Sequence, residues 1–225
     1  MDYKFLLRNI FFPRGKVSVH VGDSPTAINL LNYFNKRQWN RAFIKTKKFN
    51  ISLLNLQKFE SSKDYIASVN GKNSAAYFSR RCLKLGFEVS KFNPNKEIDS
   101  IFAINTSMSE RQGRQMDSSY SILQKEWPSG ENHSWYGVYN ADKQLVAYAW
   151  IYEVRELITV NRILGHGNYM KDNIMYLLLT EVVTTYIDQK RVKYMMYDTF
   201  GKYDNGLVLF KKRIGFEPYT VNFQR

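Results

Sequence analysis

The last third of the chain alternates between strand-like and helix-like segments, and this order restricts the fold more than any other feature. Residues 157–164 are apolar and β-branched, as in a strand, and the glycine-containing residues 165–168 interrupt that run. Apolar side chains at helical spacing then predict a helix over residues 172–189. Asp172 is expected to cap this helix, because its carboxylate can accept from the first unpaired backbone N–H groups.

Two more strands and a short helix are predicted after that long helix. Residues 192–200 form a nearly continuous apolar run, which is typical of a strand covered on both faces. Residues 207–214 predict a helix that ends at Gly215, and residues 216–218 lead into a final strand. This succession of strands and helices predicts a mixed sheet with helices packed on it.

The middle of the chain carries the same kinds of element. Helices are predicted over residues 74–85 and 97–107, with a strand over residues 87–92 between them. Residues 134–139 and 144–152 flank a short polar turn and predict a β-hairpin. No linker rich in Pro, Gly or Ser divides the chain, and its 225 residues can bury one large core or two small ones.

Near the N-terminus a strand and a helix are predicted in sequence. Residues 16–21 alternate between polar and apolar, as in a half-buried strand. Ser24 is expected to cap the following helix, with Pro25 at its first position. His20 and Asp23 are close enough in sequence to suggest acid–base chemistry, but a histidine at a strand end that bonds to a turn is the favoured interpretation.

Composition limits the class of protein. Hydrophobic residues make up 44% of the chain and aromatic residues 16%, which is typical of a globular protein. No apolar run reaches the roughly 18–20 residues of a membrane span, and the first residues lack the layout of a signal peptide. Cys82 is the single cysteine, which fits the reducing cytoplasm. Three scattered histidines and one cysteine do not have the spacing of a zinc site, so no metal is expected.

The charge is strongly positive and unevenly distributed. The formal net charge is +13, and residues 1–60 hold eleven Lys and Arg against three Asp and Glu. Such a surface attracts polyanions, which include nucleic acid (tRNA or DNA), an anionic membrane face and phosphorylated substrates. The alternative is a set of solvated lysines without a partner.

The C-terminal residues 210–218, Phe-Lys-Lys-Arg-Ile-Gly-Phe-Glu-Pro, resemble the last helix and strand of the GNAT acyltransferase superfamily. The spacing Arg162-x-x-Gly165-x-Gly167 matches the letters of the phosphate loop of that family, which holds the pyrophosphate of acyl-coenzyme A at a helix N-terminus. Lys211 stands where the family usually has a tyrosine. The resemblance implies a group of cofactor-binding residues: Arg162, Gly165, His166, Gly167, Asn205 and Lys211.

A polar stretch in the middle of the chain resembles a GNAT subgroup that is similar to FemX-type peptidyltransferases. Its pattern is Asn-x-Ser, then Arg-Gln-Gly-Arg and a tyrosine. The resemblance implies a group of substrate-binding residues: Asn105, Ser107, Arg111, Gln112, Arg114 and Tyr120. Independently of the family, Arg111 and Arg114 can present two guanidinium groups to a phosphate or carboxylate, or can cap helix C-termini.

The resemblance also implies the fold and its division. We expect a GNAT-like α+β or α/β fold with a mixed, mostly antiparallel, twisted sheet and flanking helices. Residues 71–225 are expected to form the acyltransferase domain. Residues 1–70 are expected to form a basic α/β portion on the same core, either as half of a duplicated fold or as a cap.

Acyl transfer to an amine needs a group that takes the amine proton and a group that protonates the leaving thiolate. Glu153, Asp198 and His166 are candidates for the base, and Tyr203 is the candidate acid. The alternatives are structural, since Glu153 can pair with Arg155 and Asp198 can be a buried turn residue.

These features predict a cytoplasmic N-acyltransferase that uses acyl-CoA, with acetyl-CoA as the first choice. Its acceptor is expected to be an amine on an anionic or phosphate-bearing molecule, such as a nucleotide-linked amino sugar. One alternative is a FemX-like transferase that uses aminoacyl-tRNA. Another is a nucleic-acid-binding or base-modifying protein with a GNAT-like fold.

Overall fold

A computed structural model describes residues 14–35, 50–111, 113–200 and 205–225, without the side chains of the two residues at 35 and 205. Within these ranges the chain forms an eight-stranded mixed sheet, helices on both of its faces and a separate two-stranded hairpin. The strands are β1 (Lys16–His20), β2 (Ile51–Asn55), β3 (Glu88–Lys91), β4 (Glu110–Arg111), β5 (Arg114–Gln115), β6 (His133–Tyr139), β7 (Leu145–Val154), β8 (Leu157–Gly165), β9 (Tyr194–Thr199) and β10 (Glu217–Gln224).

Side-chain caps mark the start of several helices. The α-helices are α1 (Pro25–Asn35), α2 (Ser62–Ser68), α3 (Ala75–Lys84), α4 (Ile98–Thr106), α5 (Ile174–Gln189) and α6 (Asn205–Ile214). The Ser24 hydroxyl accepts from the Ala27 N–H before α1, and the Ser74 hydroxyl accepts from the Tyr77 N–H before α3. These bonds satisfy backbone donors that a helix leaves unpaired, so the predicted cap at Ser24 is confirmed.

The strand order across the large sheet is β1-β10-β2-β9-β8-β7-β6-β3. The pairs β1–β10 and β8–β9 are parallel, and every other neighbouring pair is antiparallel. The predicted mixed, mostly antiparallel sheet with flanking helices is therefore confirmed. The strand β2, near the start of the described chain, lies between β9 and β10 near its end.

The parallel strands β8 and β9 stay together for only a short distance. Their ladder joins Leu157, Ile158 and Thr159 to the facing residues of β9. Both strands then continue without pairing to each other, β8 to Gly165 and β9 to Thr199. The sheet therefore opens into a V-shaped gap between the carboxyl ends of these two strands.

Two layers of helices cover the sheet. The long helix α5, with α2, α3 and α6, packs on the face that includes Ile151 and Ile158. On the opposite face, α1 packs beside Leu157 and α4 packs beside Trp135. Successive strand residues point to opposite faces, so the residues around the gap are divided between the two layers.

The start of α5 differs from the prediction. The helix begins at Ile174, and residues Gly167–Asp172 form 3₁₀ turns instead. Asn173 occupies the cap position in a left-handed conformation with φ 65°, and it makes no side-chain cap bond. The predicted cap at Asp172 is therefore wrong, because the tighter turns take up the residues ahead of the helix.

Part of the predicted basic region lies outside the described residues, at 1–13 and 36–49. The division at residue 70 stays a prediction, although β1 and β2 belong to the same sheet as the C-terminal strands.

Candidate functional site

Two cavities reach the gap between β8 and β9 from opposite faces of the sheet. The α5-side cavity has a volume of about 290 Å³. Its lining residues are Met108, Arg111, Ile163, Leu164, Gly165, Met170, Asn173, Met175, Tyr176, Tyr197, Leu207 and Phe210. Apart from Arg111 and Asn173, this lining is apolar or aromatic. The cavity is therefore suited to a mostly uncharged part of a ligand.

The second cavity is larger and more polar. The α1-side cavity has a volume of about 650 Å³. Its lining residues are Thr26, Asn29, Leu30, Tyr33, Phe34, Pro128, His133, Trp150, Tyr152, Thr159, Val160, Asn161, Met196, Tyr197 and Asp198. Tyr197 lines both cavities, so the two spaces lie on either side of this residue.

Asp198 supplies a carboxylate to the α1-side cavity. Its backbone is left-handed, with φ 48°, in the part of β9 that has left β8. Residues other than glycine adopt this conformation rarely, and aspartate and asparagine are among those that tolerate it. The predicted base candidate therefore lies at the gap.

Lys211 is buried under the same part of β9, with 1% of its surface exposed. Its ammonium donates to the Tyr197 carbonyl at 2.7 Å and to the Thr199 carbonyl at 2.9 Å. The Nζ atom lies 4.3 Å from the centre of the Tyr197 ring. Burial lowers the pKa of Lys211 to about 8, and the charge of Asp198 opposes that shift. A cation thus lies beside the residue that both cavities share.

The predicted phosphate loop uses its backbone donors within the protein. The His166 N–H donates to the Val146 carbonyl at 2.8 Å, and the Gly167 N–H donates to the Ser107 hydroxyl at 3.0 Å. The Asn168 N–H donates to Nδ1 of His166 at 3.3 Å. A pyrophosphate bound to these three amides would have to displace all of these bonds.

The two glycines of this loop allow close packing. A Cβ atom on Gly165 would lie 2.7 Å from Sδ of Met175, and one on Gly167 would lie 2.7 Å from Cγ of Met108. The missing side chains therefore make room for methionines that line the α5-side cavity. Assignment of Gly165, His166 and Gly167 to a cofactor stays a prediction, and their contacts weigh against it.

The polar motif after α4 forms an internal network. Arg111 donates through Nη2 to the Ile104 carbonyl and to the Ser107 hydroxyl, both at 3.1 Å. Burial lowers the pKa of Arg111, whose Nε is buried without a hydrogen-bond partner among the described atoms. The Tyr148 hydroxyl donates to Oδ1 of Asn105 at 2.6 Å. Of these motif residues, Arg111 also lines the α5-side cavity, whereas Asn105 is buried.

Arg162 and Tyr120 come together, although the sequence assigned them to different ligands. The guanidinium carbon of Arg162 lies 4.4 Å from the centre of the Tyr120 ring and 5.3 Å from that of Trp127. Cation–π contacts of this kind attach the loop that holds Tyr120 to strand β8. Arg114 is exposed in the β4–β5 hairpin.

Glu153 is not brought to the gap. Its Oε2 accepts from Arg191 at 3.1 Å, and it lines neither cavity. Its position on β7 pairs with Ile158, near the closed end of the V. The expected alternative partner was Arg155, but the ion pair uses Arg191. The role of Glu153 as the base stays a prediction, and this ion pair weighs against it.

The structure does not describe the side chains of three predicted site residues. Gln112 and Tyr203 lie outside the described residues, and Asn205 begins α6 with its side chain undescribed. Sequence reasoning missed Tyr197, which lines both cavities, and the aromatic side chains of Trp150 and Tyr152 in the α1-side cavity. In the sequence, Tyr197 lies within the nearly continuous apolar run of residues 192–200, and Trp150 and Tyr152 lie in the second strand of the predicted hairpin.

Neither a membrane-spanning helix nor a metal-binding cluster occurs among the described residues. No helix in those ranges is long and apolar enough to cross a bilayer. No cluster of three His, Cys, Asp or Glu side chains suited to a metal ion occurs in the same ranges.

Known proteins resemble this chain in fold but not in sequence. No protein-family model and no curated protein sequence matches it. The structure of FemX aligns over 90% of this chain and 68% of its own, with a TM-score of 0.59 and 11% identity. The fold is GNAT-like and of the FemX type. At such identity the likeness establishes the fold alone.

Two further structures share this FemX-type fold. One is the C-terminal domain of a putative lysylphosphatidylglycerol synthetase from Agrobacterium fabrum, with a TM-score of 0.53 and 12% identity. It is aligned over 87% of this chain and 64% of its own. The other is L-PGS from Bacillus licheniformis, with a TM-score of 0.50, 12% identity and coverages of 86% and 63%. The chain thus spans slightly less than two thirds of these two structures.

Proposed function

We propose that the protein transfers an acyl group from an activated carbonyl donor to an amine, with the reaction taking place in the gap between β8 and β9. The observation that carries this proposal is that Tyr197, on the strand that has separated from β8, lines a cavity on each face of the sheet. A donor in one cavity and an acceptor in the other would approach each other through the gap. Holding two reactants in this way is a large part of what an enzyme contributes to such a reaction.

In this reaction the amine nitrogen attacks the carbonyl carbon, a C–N bond forms, and the C–O or C–S bond to the leaving group breaks. We propose Asp198 as the group that takes the proton that the amine loses, because Asp198 lines the α1-side cavity. The leaving oxygen or sulfur takes up a proton in turn, and Tyr203 stays the predicted donor of that proton.

Lys211 supports the same step electrostatically. Negative charge develops on the carbonyl oxygen during attack, and a buried cation stabilises such charge more than an exposed one does. The Lys211 ammonium is buried beside Tyr197, which lines both cavities, although Lys211 itself lines neither. We therefore replace its predicted cofactor-binding role with a role in charge stabilisation.

We propose an aminoacyl ester of tRNA as the donor. An acyl-CoA donor would need a site for its pyrophosphate, and the amides of residues 166–168 are already bonded within the protein. The net charge of +13 and the FemX-type fold favour a nucleic-acid donor. Acyl-CoA is the second candidate, favoured by the mostly apolar α5-side cavity, which suits a slender uncharged arm.

The acceptor is proposed to enter the α1-side cavity. Its described lining includes the carboxylate of Asp198 and several polar and aromatic side chains, and no lysine or arginine occurs among those described residues. This lining is suited to an amine. The anionic or phosphate-bearing acceptor stays a prediction, since Arg111 lies on the other side of the gap.

The test is transfer from two labelled donors to a set of amines, with products detected by mass spectrometry. One donor is a mixture of aminoacyl-tRNAs, and the other is a mixture of acyl-CoAs that includes acetyl-CoA. We expect amide products from the first donor. Amide products from the acyl-CoA mixture alone would identify acyl-CoA, and not aminoacyl-tRNA, as the donor. The absence of amide products from both donors would refute the proposal.

A further inference from the structure

A third cavity, on the α5-covered face, contains positive charge that the proposed reaction does not use. This basic cavity has a volume of about 330 Å³ and lies where the turn after β2 meets the end of α6. The charged residues of its lining are Lys58, Lys212, Arg213 and Glu217.

The carboxylate in this cavity is already paired. Glu217 accepts from Lys58 at 3.1 Å and also pairs with Arg14. The lining as a whole holds three cationic side chains, those of Lys58, Lys212 and Arg213, and one carboxylate. The lining residue Asn70 accepts from Arg80 at 2.8 Å, which brings another cation close to the cavity. Cations grouped with polar neighbours favour an anionic ligand.

Arg213 connects the basic cavity with the α5-side cavity. Its Nη1 donates to the Tyr176 hydroxyl at 3.1 Å, and Tyr176 lines the α5-side cavity. Its guanidinium carbon lies 5.4 Å from the centre of the Phe78 ring, which stacks on Tyr176. Phe210 lines the α5-side cavity and Arg213 lines the basic cavity, so residues about one helical turn apart on α6 border the two spaces.

The donors considered above carry phosphate groups, yet the amides of residues 166–168 are bonded within the protein. We propose that the basic cavity binds a phosphate of the donor while the acyl end of the donor occupies the α5-side cavity. This inference rests on the proposed function. Proteins bind phosphate most often through the guanidinium group of arginine and the ammonium group of lysine.

The experiment measures equilibrium binding of two probes, deacylated tRNA and coenzyme A, across a series of KCl concentrations. The variants are Lys212→Gln, which changes an exposed residue, and Lys58→Gln. The matched control is Lys143→Gln, which removes the same charge from an exposed turn where Lys143 pairs with Glu88 at 2.7 Å. Thermal unfolding of each variant verifies that it is folded.

We expect Lys212→Gln and Lys58→Gln each to weaken binding of the donor-type probe about threefold to tenfold at low salt. The slope of log affinity against log salt should fall by roughly 0.7–0.9 for each lost phosphate contact. Lys143→Gln should retain the wild-type affinity and slope. An effect on tRNA alone assigns the phosphate to a nucleic-acid donor, and an effect on coenzyme A alone assigns it to an acyl-CoA donor.

Wild-type affinity in both variants, or an equal loss in the Lys143→Gln control, would overturn the phosphate site. If wild type forms amide products but the salt slope is unchanged in Lys212→Gln and Lys58→Gln, the transferase reaction is supported and the phosphate site is refuted. Binding that depends on Lys212, without amide products from either donor, would support the site and refute the reaction.

Discussion

At the scale of single residues, the most unusual feature is a lysine in the core. Lys211 is almost fully buried, and its ammonium bonds to two carbonyls of β9. Charged side chains are rarely buried unless they are paired or hydrogen-bonded, because the loss of hydration is costly. These bonds hold the part of β9 that has separated from β8, so the lysine stabilises the open end of the gap.

The lowered pKa of Lys211 predicts how stability changes with pH. Its pKa is about 8 in the folded protein and close to 10.5 in the unfolded chain. Between these values the unfolded chain binds the proton more tightly, so this residue lowers the free energy of unfolding as pH falls from 10.5 to 8. Urea unfolding of wild type and Lys211→Met should therefore show a stability difference that changes between pH 8 and 10. A constant difference over that range would contradict the lowered pKa.

Asp198 provides the second residue-scale prediction. Asp198→Asn removes the proposed base but keeps a side chain that tolerates the left-handed backbone. We expect transfer to fall about a hundredfold or more, since a general base contributes roughly 10²–10⁴. Asp142→Asn, at an exposed position in the β6–β7 turn, should retain wild-type activity. Equal activity in the two variants would exclude Asp198 as the base.

At the scale of elements, one hydroxyl fixes the loop between β8 and α5. Ser107 follows α4, and its Oγ accepts from the Gly167 N–H and from Arg111. The same hydroxyl donates to the Ile104 carbonyl at 2.8 Å. This arrangement joins the end of α4 to the loop that lines the α5-side cavity.

Ser107→Ala should therefore loosen the loop and destabilise the protein. Loss of the shared hydroxyl is expected to lower the free energy of unfolding by roughly 1–3 kcal/mol, because buried partners lose their bonds. Amide hydrogen exchange at Gly167 should become faster, as measured by NMR. Ser109→Ala, at an exposed position two residues further on, serves as the control and should change neither quantity. Unchanged exchange in Ser107→Ala would show that other contacts fix the loop.

At the scale of the whole molecule, the N-terminal residues complete the C-terminal sheet. The strand β2 pairs with β9 on one side and with β10 on the other. Its residues Ile51, Leu53 and Leu54 are buried, and they contribute to the packed layers on both faces of the sheet. Removal of this strand would leave two strands with unpaired edges and two cores with missing side chains.

We therefore expect residues 71–225 to fail to fold when produced alone. Near-ultraviolet circular dichroism should show no fixed aromatic environment, and urea unfolding should lack a cooperative transition. Addition of a separate fragment of residues 1–70 should restore both signals. A cooperative transition in residues 71–225 alone would instead support the predicted division at residue 70.

The sequence predicted many of the individual strands and helices, but it predicted only some of the residues of the candidate site. The patterns around Ser24, residues 74–85 and residues 157–164 predicted their elements to within one or two residues, since caps and apolar periodicity depend on nearby residues. Asp198 was a candidate from its place at a strand end. Glu153 was a candidate for the same reason and lies elsewhere, because a strand end does not reveal which neighbouring strands separate.

The sequence by itself determined the strong positive charge and most of the strands and helices from residue 74 onward, whereas β2, α2 and the β4–β5 hairpin were not predicted. Only the tertiary structure decided that β2 enters the sheet between β9 and β10, that β8 and β9 separate after Thr159, and that Lys211 is buried under the open end. The physical reason is that periodicity and capping act within one segment. Strand pairing and cavities depend on residues far apart in the chain, such as Leu53 and Glu217, which are paired across the sheet.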